Sequence, residues 1–198
     1  MPARIAVLVS GSGTNLQALL DAPDPAYEVV GVLSDRADAH GLVRAQHRGI
    51  PVEVVDLGDS TDRSAWDARL AEALQAWEPD WVVCAGFMRI LGPCVLAAFP
   101  SRIVNTHPAL LPAFPGAHAV RDALAYRVRV TGCTVHLVDA GVDTGPILDQ
   151  RVVRIRDDDD EESLHERIKV EERAMLVETV QRLCQHGCTV DGRKATIP

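Results

Sequence analysis

Short apolar runs that alternate with amphipathic segments constrain the fold of this chain more than any other feature. Four such runs begin at Arg4, Tyr27, Pro51 and Trp81, and read RIAVLVS, YEVVGVLS, PVEVVD and WVVCAGF. A helical pattern follows each of the first three, and a fifth run, RIVNTH, comes after the fourth. Strands that are apolar throughout are buried on both faces, as in parallel sheets covered by helices. The pattern therefore predicts an α/β fold with a parallel sheet.

The second half of the chain shows a different pattern. Two longer runs, VTGCTVHLVD from Val130 and ILDQRVVRI from Ile147, are separated by the turn-rich segment AGVDTGP, which indicates antiparallel strands. A helix is predicted over residues 162–185, and residues 189–198 suggest a small hairpin. The apolar positions that give this helix one inward face are Leu164, Ile168, Met175, Val180 and Leu183. We expect a Rossmann-like, mostly parallel sheet with helices on both faces and antiparallel strands added toward the C-terminus.

Charge and cysteine content narrow the class of partner and the compartment. The formal net charge is −8 at pH 7, so the chain has no long-range attraction for nucleic acid or for an anionic membrane. We therefore expect neither as a partner. The five cysteines include no C-x-x-C pair and no signal peptide precedes them, which indicates reduced thiols in a cytoplasmic protein. The first apolar run is too short to span a membrane.

The glycine-rich segment SGSGTN, residues 10–15, lies between the first predicted strand and its helix. It lacks the Gly-Lys-Ser/Thr ending of a nucleoside-triphosphate loop. In a dinucleotide fingerprint a third glycine would stand at Leu16, although Asp35 imitates the acid that binds a ribose. A plain turn that caps the helix is the alternative without any ligand.

A third interpretation of the same segment is a nest for a single phosphate. Glycines let the backbone approach an anion closely, and the first N–H groups of a helix point toward it. The candidate residues are Gly11, Ser12, Gly13, Thr14 and Asn15. The segment thus suggests a phosphate ligand without naming the molecule.

Asn105 and His107 are two positions apart at the end of the fifth predicted strand. Residues i and i+2 of a strand project to the same side, and ligands of open α/β sheets bind at the carboxyl ends of strands. Pro108 ends the strand, and the proline-rich loop after it is stiff enough to form a pocket wall. A carboxamide beside an imidazole suits acyl transfer, in which donors meet negative charge that develops on a carbonyl oxygen.

A carboxylate that tunes His107 is the missing part of such a site. Asp139 and Asp143, in the segment DAGVDTGP, are the candidates, although acidic turn residues are common for local reasons. The chain shows no G-x-S-x-G nucleophile and no metal-ligand spacing. We therefore expect direct transfer between two bound substrates, without a covalent enzyme intermediate and without a metal.

The motifs together resemble a known family. SGSGTN, AGFMRIL, NTHPALLPAFPG, VTGCTVHLVD, DTGPIL and HERIKVEE occur in this order along almost the whole chain. The set resembles the phosphoribosylglycinamide formyltransferases, folate-dependent enzymes of purine biosynthesis. N-x-H-P-x-L-L-P with a downstream D-x-G-P is specific to folate formyltransferases, and the glycine loop indicates the ribonucleotide branch.

The resemblance implies a reaction and a catalytic set. The formyl group of 10-formyltetrahydrofolate, a co-substrate, would pass to the primary amine of glycinamide ribonucleotide, giving formylglycinamide ribonucleotide and tetrahydrofolate. His107 would donate to the tetrahedral oxyanion, and Asp143 would hold the imidazole and favour its charged form. Asn105 would be a second donor to the same oxygen.

The resemblance also implies the binding residues. Residues 11–15 would hold the phosphate of the ribonucleotide, and Glu172 would contact the substrate amine or ribose unless it is only an exposed helix carboxylate. The residues placed near the folate are Arg63, Met88, Arg89, Ile90, Leu91, Asn105, Ala140, Gly141, Val142 and Asp143. The chain departs from the family pattern at Ala109, often serine, and after His118, where many members have a second histidine.

The resemblance implies one formyltransferase domain over residues 1–198. Its half at about 1–100 would bind phosphate or nucleotide, and its half at about 101–198 would bind folate and catalyse. Methionyl-tRNA formyltransferase and formyltetrahydrofolate hydrolase share the motifs, but each carries a further domain, so the length of the chain favours the ribonucleotide enzyme. The hydrolase, or another folate formyltransferase, is the alternative. A homodimer is compatible with the sequence, although no segment requires one.

Overall fold

A computed structural model describes residues 1–60 and 62–198 of the chain. The chain divides into two compact units, Met1–Val104 and Asn105–Pro198. Each unit has its own strands, helices and buried side chains. The assignment of residues 1–198 to a single domain stays a prediction.

The first unit contains four parallel strands with helices between them. In chain order its elements are β1 Ala3–Val9, α1 Thr14–Leu20, β2 Tyr27–Ser34, α2 His40–His47, β3 Val52–Val54, a 3-10 turn Leu57–Asp59, α3 Arg63–Ala76, β4 Trp81–Cys84 and α4 Pro93–Ala98. The strands lie in the order β3-β2-β1-β4, and each neighbouring pair is parallel. Strand β5, Ile103–His107, runs across the boundary between the units.

Burial in the first unit follows the apolar runs of the sequence. All five residues from Ile5 to Val9 in β1 are inaccessible to solvent, which is the pattern expected of a strand covered on both faces. Helix α3 begins at the expected cap, where the Asp62 side chain accepts the N–H of Ala65 at 2.8 Å. Trp66 is fully buried in that helix and donates its indole N–H to the Val55 carbonyl.

The second unit contains an antiparallel pair, a long helix and a terminal hairpin. Its elements after β5 are α5 Ala119–Tyr126, β6 Val130–Leu137, β7 Ile147–Arg154, α6 Glu161–His186, β8 Thr189–Asp191 and β9 Lys194–Thr196. Strands β6 and β7 are antiparallel, β7 and β9 are parallel, and β8 and β9 form the antiparallel hairpin. A register shift after Val135 leaves Leu148 as an extra residue on β7.

Helix α6 is held at its start and along one face. Asp160 and Ser163 form a reciprocal capping box, which satisfies backbone N–H groups that would otherwise lack partners. The five apolar residues that the sequence pattern assigned to the inner face are all buried. Arg151 of β7 contacts Glu171 and Glu178 on the same helix.

The predicted fold class is confirmed, including the parallel first half and the antiparallel strands after it. The sequence analysis missed α4 and α5. α4 has only 6 residues, too few for a helical period to show, and α5 buries only Ala119, Val120 and Ala123. Among the described helices none is long and apolar enough to cross a bilayer.

Candidate active site

Strand β5 places Asn105 and His107 on one side and Thr106 on the other. His107 is 4% exposed, and Asn105 is half-buried. Thr106 points away from them and donates its hydroxyl to Glu172 of α6. This alternation is the one expected of a strand, so the paired carboxamide and imidazole follow from the two-residue spacing.

The second unit brings Asp143 to His107. His107 Nδ1 lies 3.3 Å from Asp143 Oδ2, and the same oxygen accepts the N–H of Gly116 at 2.8 Å. His107 Nε2 lies 2.8 Å from the carbonyl oxygen of Phe114. A carbonyl can only accept, so Nε2 carries a proton and donates to it. The structure therefore assembles the predicted pair and the predicted carboxylate, and it adds a backbone contact on each side.

A second histidine, His136 of β6, completes this cluster. His136 is 2% exposed. Its Nε2 lies 3.2 Å from Asn105 Nδ2 and 3.6 Å from Asp143 Oδ1, and its Nδ1 lies 2.9 Å from the Leu137 carbonyl oxygen. The sequence analysis did not select this residue. The signal was available, because His136 is the one histidine within a predicted strand other than His107.

The backbone around Asp143 is constrained. Asp143 itself has a φ of 55°, in the left-handed region that is costly for a residue with a side chain. Asp139 closes the turn before it by accepting the N–H of Gly141 and the hydroxyl of Thr144. A side chain at Gly145 would lie 1.7 Å from the Leu137 carbonyl oxygen, so only glycine fits there. These constraints fix the carboxylate toward the histidines.

Electrostatics keep Asp143 charged. Burial raises the pKa of this carboxyl group, but the polar groups around it, among them the Gly116 N–H and the charged His107, outweigh burial and hold the pKa below its usual value. The group is therefore an anion at neutral pH, as a partner for an imidazolium must be.

The lowered pKa of Asp143 predicts an acid-dependent stability. The folded state favours the carboxylate, so this contribution is complete above the unfolded pKa of about 4 and is lost as pH falls through the lower folded pKa. We expect the free energy of unfolding of the wild type to fall more steeply below about pH 4 than that of Asp143→Asn. Urea denaturation at a series of pH values measures both curves, and parallel curves would contradict the expectation.

The start of the proline-rich loop is fixed to β6 and β7. Thr134 donates its hydroxyl to the Ala109 carbonyl and accepts the N–H of Leu111. Gln150 donates to the Leu111 carbonyl and to Thr134. Ala109, the position where the chain departs from the family pattern, is fully buried and takes part through its backbone. His118 lies at the start of α5 and is exposed.

The glycine loop of the first unit is shaped by contact with α2. Gly13 has a φ of 69°, and a side chain there would lie 2.5 Å from the Gly41 Cα atom. Gly41 donates its N–H to the Gly11 carbonyl at 3.0 Å, and Arg44 donates to the Ser12 carbonyl. A side chain at Gly11 would meet no atom within 4 Å, so this position leaves open space. Of the remaining loop residues, Thr14 is the first residue of α1 and Asn15 is buried.

Asp35 does not behave as a ribose-binding acid. It is 2% exposed, accepts the Ser10 hydroxyl at 2.6 Å and lies 2.8 Å from Arg89 Nε. Ser10 in turn accepts the N–H of Met88. The carboxylate is thus committed inside the first unit, which argues against a dinucleotide loop. It also gives Arg89 a structural partner that the sequence did not indicate.

Removing Arg89 is expected to destabilise the protein. Arg89→Ala removes the guanidinium that lies 2.8 Å from the buried Asp35 carboxylate, a loss of roughly 1–3 kcal/mol, and the partial exposure of the guanidinium favours the lower end. Urea denaturation measures the loss. Arg36→Ala is the matched control, because its ion pair with Asp38 is exposed to solvent and should contribute little to stability. Equal losses in the two variants would contradict a structural role for Arg89.

The remaining residues predicted near the folate differ in exposure. Met88 and Ile90 are 70% and 61% exposed, whereas Leu91 is buried. Arg63 donates to the Ile90 carbonyl, and its guanidinium lies 4.5 Å from the centre of the Trp66 ring. In the second unit the segment Ala140, Gly141 and Val142 is exposed on the turn before Asp143.

Glu172 lies inside the second unit. It is 6% exposed, so the alternative of an exposed helix carboxylate is wrong. Burial first, and the charge of Glu172 second, raise the pKa of the Cys133 thiol to about 12. Cys133 is therefore an unreactive core thiol.

Comparison with known proteins identifies the family. The protein-family model described as formyl transferase matches residues 3–180 of the chain. The chain belongs to the formyl transferase family. The cluster of Asn105, His107 and Asp143 lies within the matched range, as do the glycine loop and Glu172.

Similar proteins within the formyl transferase family share nearly the whole chain. Phosphoribosylglycinamide formyltransferase of Mycobacterium tuberculosis H37Rv is 57% identical over 198 residues, which cover 99% of this chain and 92% of that protein. The crystal structure of glycinamide ribonucleotide transformylase 1 from Symbiobacterium toebii is 47% identical with a TM-score of 0.96, and the match covers 99% of this chain and 94% of that one. The trifunctional purine biosynthetic protein adenosine-3 of Drosophila melanogaster is 46% identical over 170 residues, 83% of this chain and 13% of that protein.

Proposed function

We propose that this formyl transferase passes the formyl group of 10-formyltetrahydrofolate to the amine of glycinamide ribonucleotide, in de novo purine biosynthesis. The products are formylglycinamide ribonucleotide and tetrahydrofolate. The proposal is supported by the relative of Mycobacterium tuberculosis, which is called phosphoribosylglycinamide formyltransferase and is 57% identical. The observation that carries it is the convergence of Asn105, His107 and Asp143 in one buried cluster.

Each member of the cluster has a role in this proposal. Attack by the amine on the formyl carbon places negative charge on the formyl oxygen, and donors aimed at that oxygen stabilise the charge. Asn105 and His107 are the donors. Asp143 lies 3.3 Å from His107 Nδ1 and balances the positive charge of the imidazolium. A bond forms between the amine nitrogen and the formyl carbon, the bond from that carbon to the folate nitrogen breaks, and one amine proton ends on the departing nitrogen, so no enzyme nucleophile is required.

The contact between His107 and Phe114 sets a condition on this role. Nε2 already donates to the Phe114 carbonyl, and Nδ1 faces Asp143. If Nε2 donates to the formyl oxygen, its hydrogen bond to the Phe114 carbonyl must break or become bifurcated. The charged imidazole has only two N–H donors, so one of its protein partners must yield.

The proposed binding residues divide by chemistry. The loop of residues 11–15 would hold the ribonucleotide phosphate, supported by the open space at Gly11. Glu172 would contact the amine or ribose. The exposed apolar side chains of Met88, Ile90 and Val142 would contact the folate rings, with Arg63, Arg89, Leu91, Ala140 and Gly141 beside them. No metal enters this reaction, and the cytoplasmic location and the homodimer stay predictions.

An assay of formyl transfer tests the proposal. The protein is incubated with 10-formyltetrahydrofolate, with and without glycinamide ribonucleotide, and tetrahydrofolate and formylated product are both measured. We expect product only when the ribonucleotide is present. Release of tetrahydrofolate and formate without it indicates the hydrolase alternative, and no turnover in either case contradicts the proposal.

Thermal protection gives a second and independent readout. A ligand at 100 times its dissociation constant stabilises the folded state by about 2.7 kcal/mol. We expect glycinamide ribonucleotide and a folate analogue each to raise Tm in this way, whereas a nicotinamide dinucleotide should not. Protection by the dinucleotide instead would restore the interpretation of the glycine loop as a dinucleotide site.

A further inference from the structure

His136 is a buried histidine with three polar neighbours, and the proposed mechanism does not use it. Nδ1 lies 2.9 Å from the Leu137 carbonyl oxygen, and Nε2 lies between Asn105 and Asp143. The carbonyl only accepts, so Nδ1 carries a proton. The protonation of Nε2 is then the one open question about this ring.

The distances decide the state of Nε2. The Asn105 Nδ2 atom lies 3.2 Å away, within the range of a hydrogen bond, whereas Asp143 Oδ1 lies 3.6 Å away, beyond that range. An amide nitrogen only donates, so Nε2 must present its lone pair to Asn105. The ring is therefore neutral, with its single proton on Nδ1.

A neutral His136 has a consequence for Asn105. The carboxamide of an asparagine has two orientations that differ by exchange of its oxygen and nitrogen. An oxygen facing the lone pair of Nε2 would be repelled, so the amide is held with nitrogen toward His136. Its second N–H and its oxygen then point in fixed directions, and that N–H is the one available to the formyl oxygen.

We propose that His136, as its neutral Nδ1–H tautomer, is a positioning residue that sets the orientation of the Asn105 carboxamide for donation to the formyl oxygen. His136 acts through Asn105 and does not itself contact the substrate. The inference rests on the proposed formyl transfer, which supplies the oxygen that Asn105 meets.

A double-mutant cycle tests whether His136 acts through Asn105. His136→Leu replaces the ring by an apolar side chain of similar size and so removes the acceptor at Nε2. We expect kcat to fall by roughly tenfold, the effect of one hydrogen bond, while KM for both substrates stays unchanged. In an Asn105→Ala background the same substitution should have no further effect on kcat. If kcat of the double variant instead falls by the product of the two single-variant losses, the proposal is overturned.

Rescue by a conservative variant separates positioning from folding. In His136→Gln the amide oxygen of the new side chain can accept the Asn105 N–H, so we expect kcat to recover well above that of His136→Leu. Equal rates for the Gln and Leu variants, with equal Tm values, would overturn the role of Nε2 as an acceptor.

The tautomer is measured without any substrate. Nitrogen NMR of the 15N-histidine-labelled protein at pH 7 should show His136 as neutral, with the proton on Nδ1. A proton on Nε2, or a charged ring, would overturn the proposal even if either variant fails to fold. A wild type that transfers no formyl group defeats the proposed function, whereas transfer combined with the wrong tautomer defeats only the role of His136.

Discussion

Replacing His107 by alanine should lower kcat/KM for formyl transfer by about 10²–10³-fold. The substitution removes the donor nearest Asp143, and losses of this size accompany removal of one group that stabilises charge on a carbonyl oxygen. Steady-state kinetics with both substrates measure the effect. We expect most of the loss in kcat, because the interaction strengthens as negative charge develops and contributes little to binding of the ground state.

His118→Ala is the matched control for this variant. His118 is exposed at the start of α5 and follows the same proline-rich loop, so its removal tests for a general effect of losing an imidazole. We expect kcat/KM to stay within about twofold of the wild type, as is usual for an exposed side chain. A loss in His118→Ala as large as that in His107→Ala would remove the specific role of His107.

Asp143→Asn should lower kcat by about 10²–10⁴-fold, the range that a positioned acid or base contributes. The amide oxygen of asparagine can still accept the Gly116 N–H, so we expect the loop to keep its fold. The negative charge beside His107 and His136 is lost, however, and the imidazolium of His107 then has no counterion at 3.3 Å. The limb of the pH–rate profile that His107 sets should therefore shift toward lower pH.

Asp139→Asn controls for the turn that carries Asp143. Asp139 accepts the Gly141 N–H and the Thr144 hydroxyl, contacts that an amide oxygen also makes, and it is exposed. The rate and the pH–rate profile of the Asp139→Asn variant should match those of the wild type. An Asp143→Asn protein with an unchanged rate and profile would exclude this carboxylate from the reaction.

The sequence could predict the parts of the site that are local. Asn105 and His107 share a side because strand side chains alternate, a rule that needs no tertiary information. Asp143 was selected as one of two carboxylates in a turn, and only the folded second unit distinguishes it from Asp139, which closes the turn on itself. Resemblance to a family favoured the same choice by motif rather than by geometry.

Three findings about individual residues required the tertiary structure. Arg89 pairs with the buried Asp35, across 54 positions of chain, so neither its partner nor its structural role could be inferred from AGFMRIL. The neighbours of His136 along β6 are apolar, and only the tertiary structure shows that Asn105 and Asp143 lie beside its ring. Glu172 follows Ile168 by four residues, so its spacing places it on the inward face of α6, but only the structure shows its partner there, the hydroxyl of Thr106.

The sequence by itself determined the longer helices and the parallel strands of the first half, though not α4 and α5, because the spacing of apolar residues reflects what each segment can bury. It also determined that a carboxamide and an imidazole project together from β5. The tertiary structure alone decided what surrounds them. Hydrogen bonds and ion pairs between residues distant in the chain depend on distances of a few tenths of an ångström, which no pattern of residue types encodes. Asp143, Phe114 and His136 therefore entered the site as partners of His107 and Asn105 only once the second unit was folded.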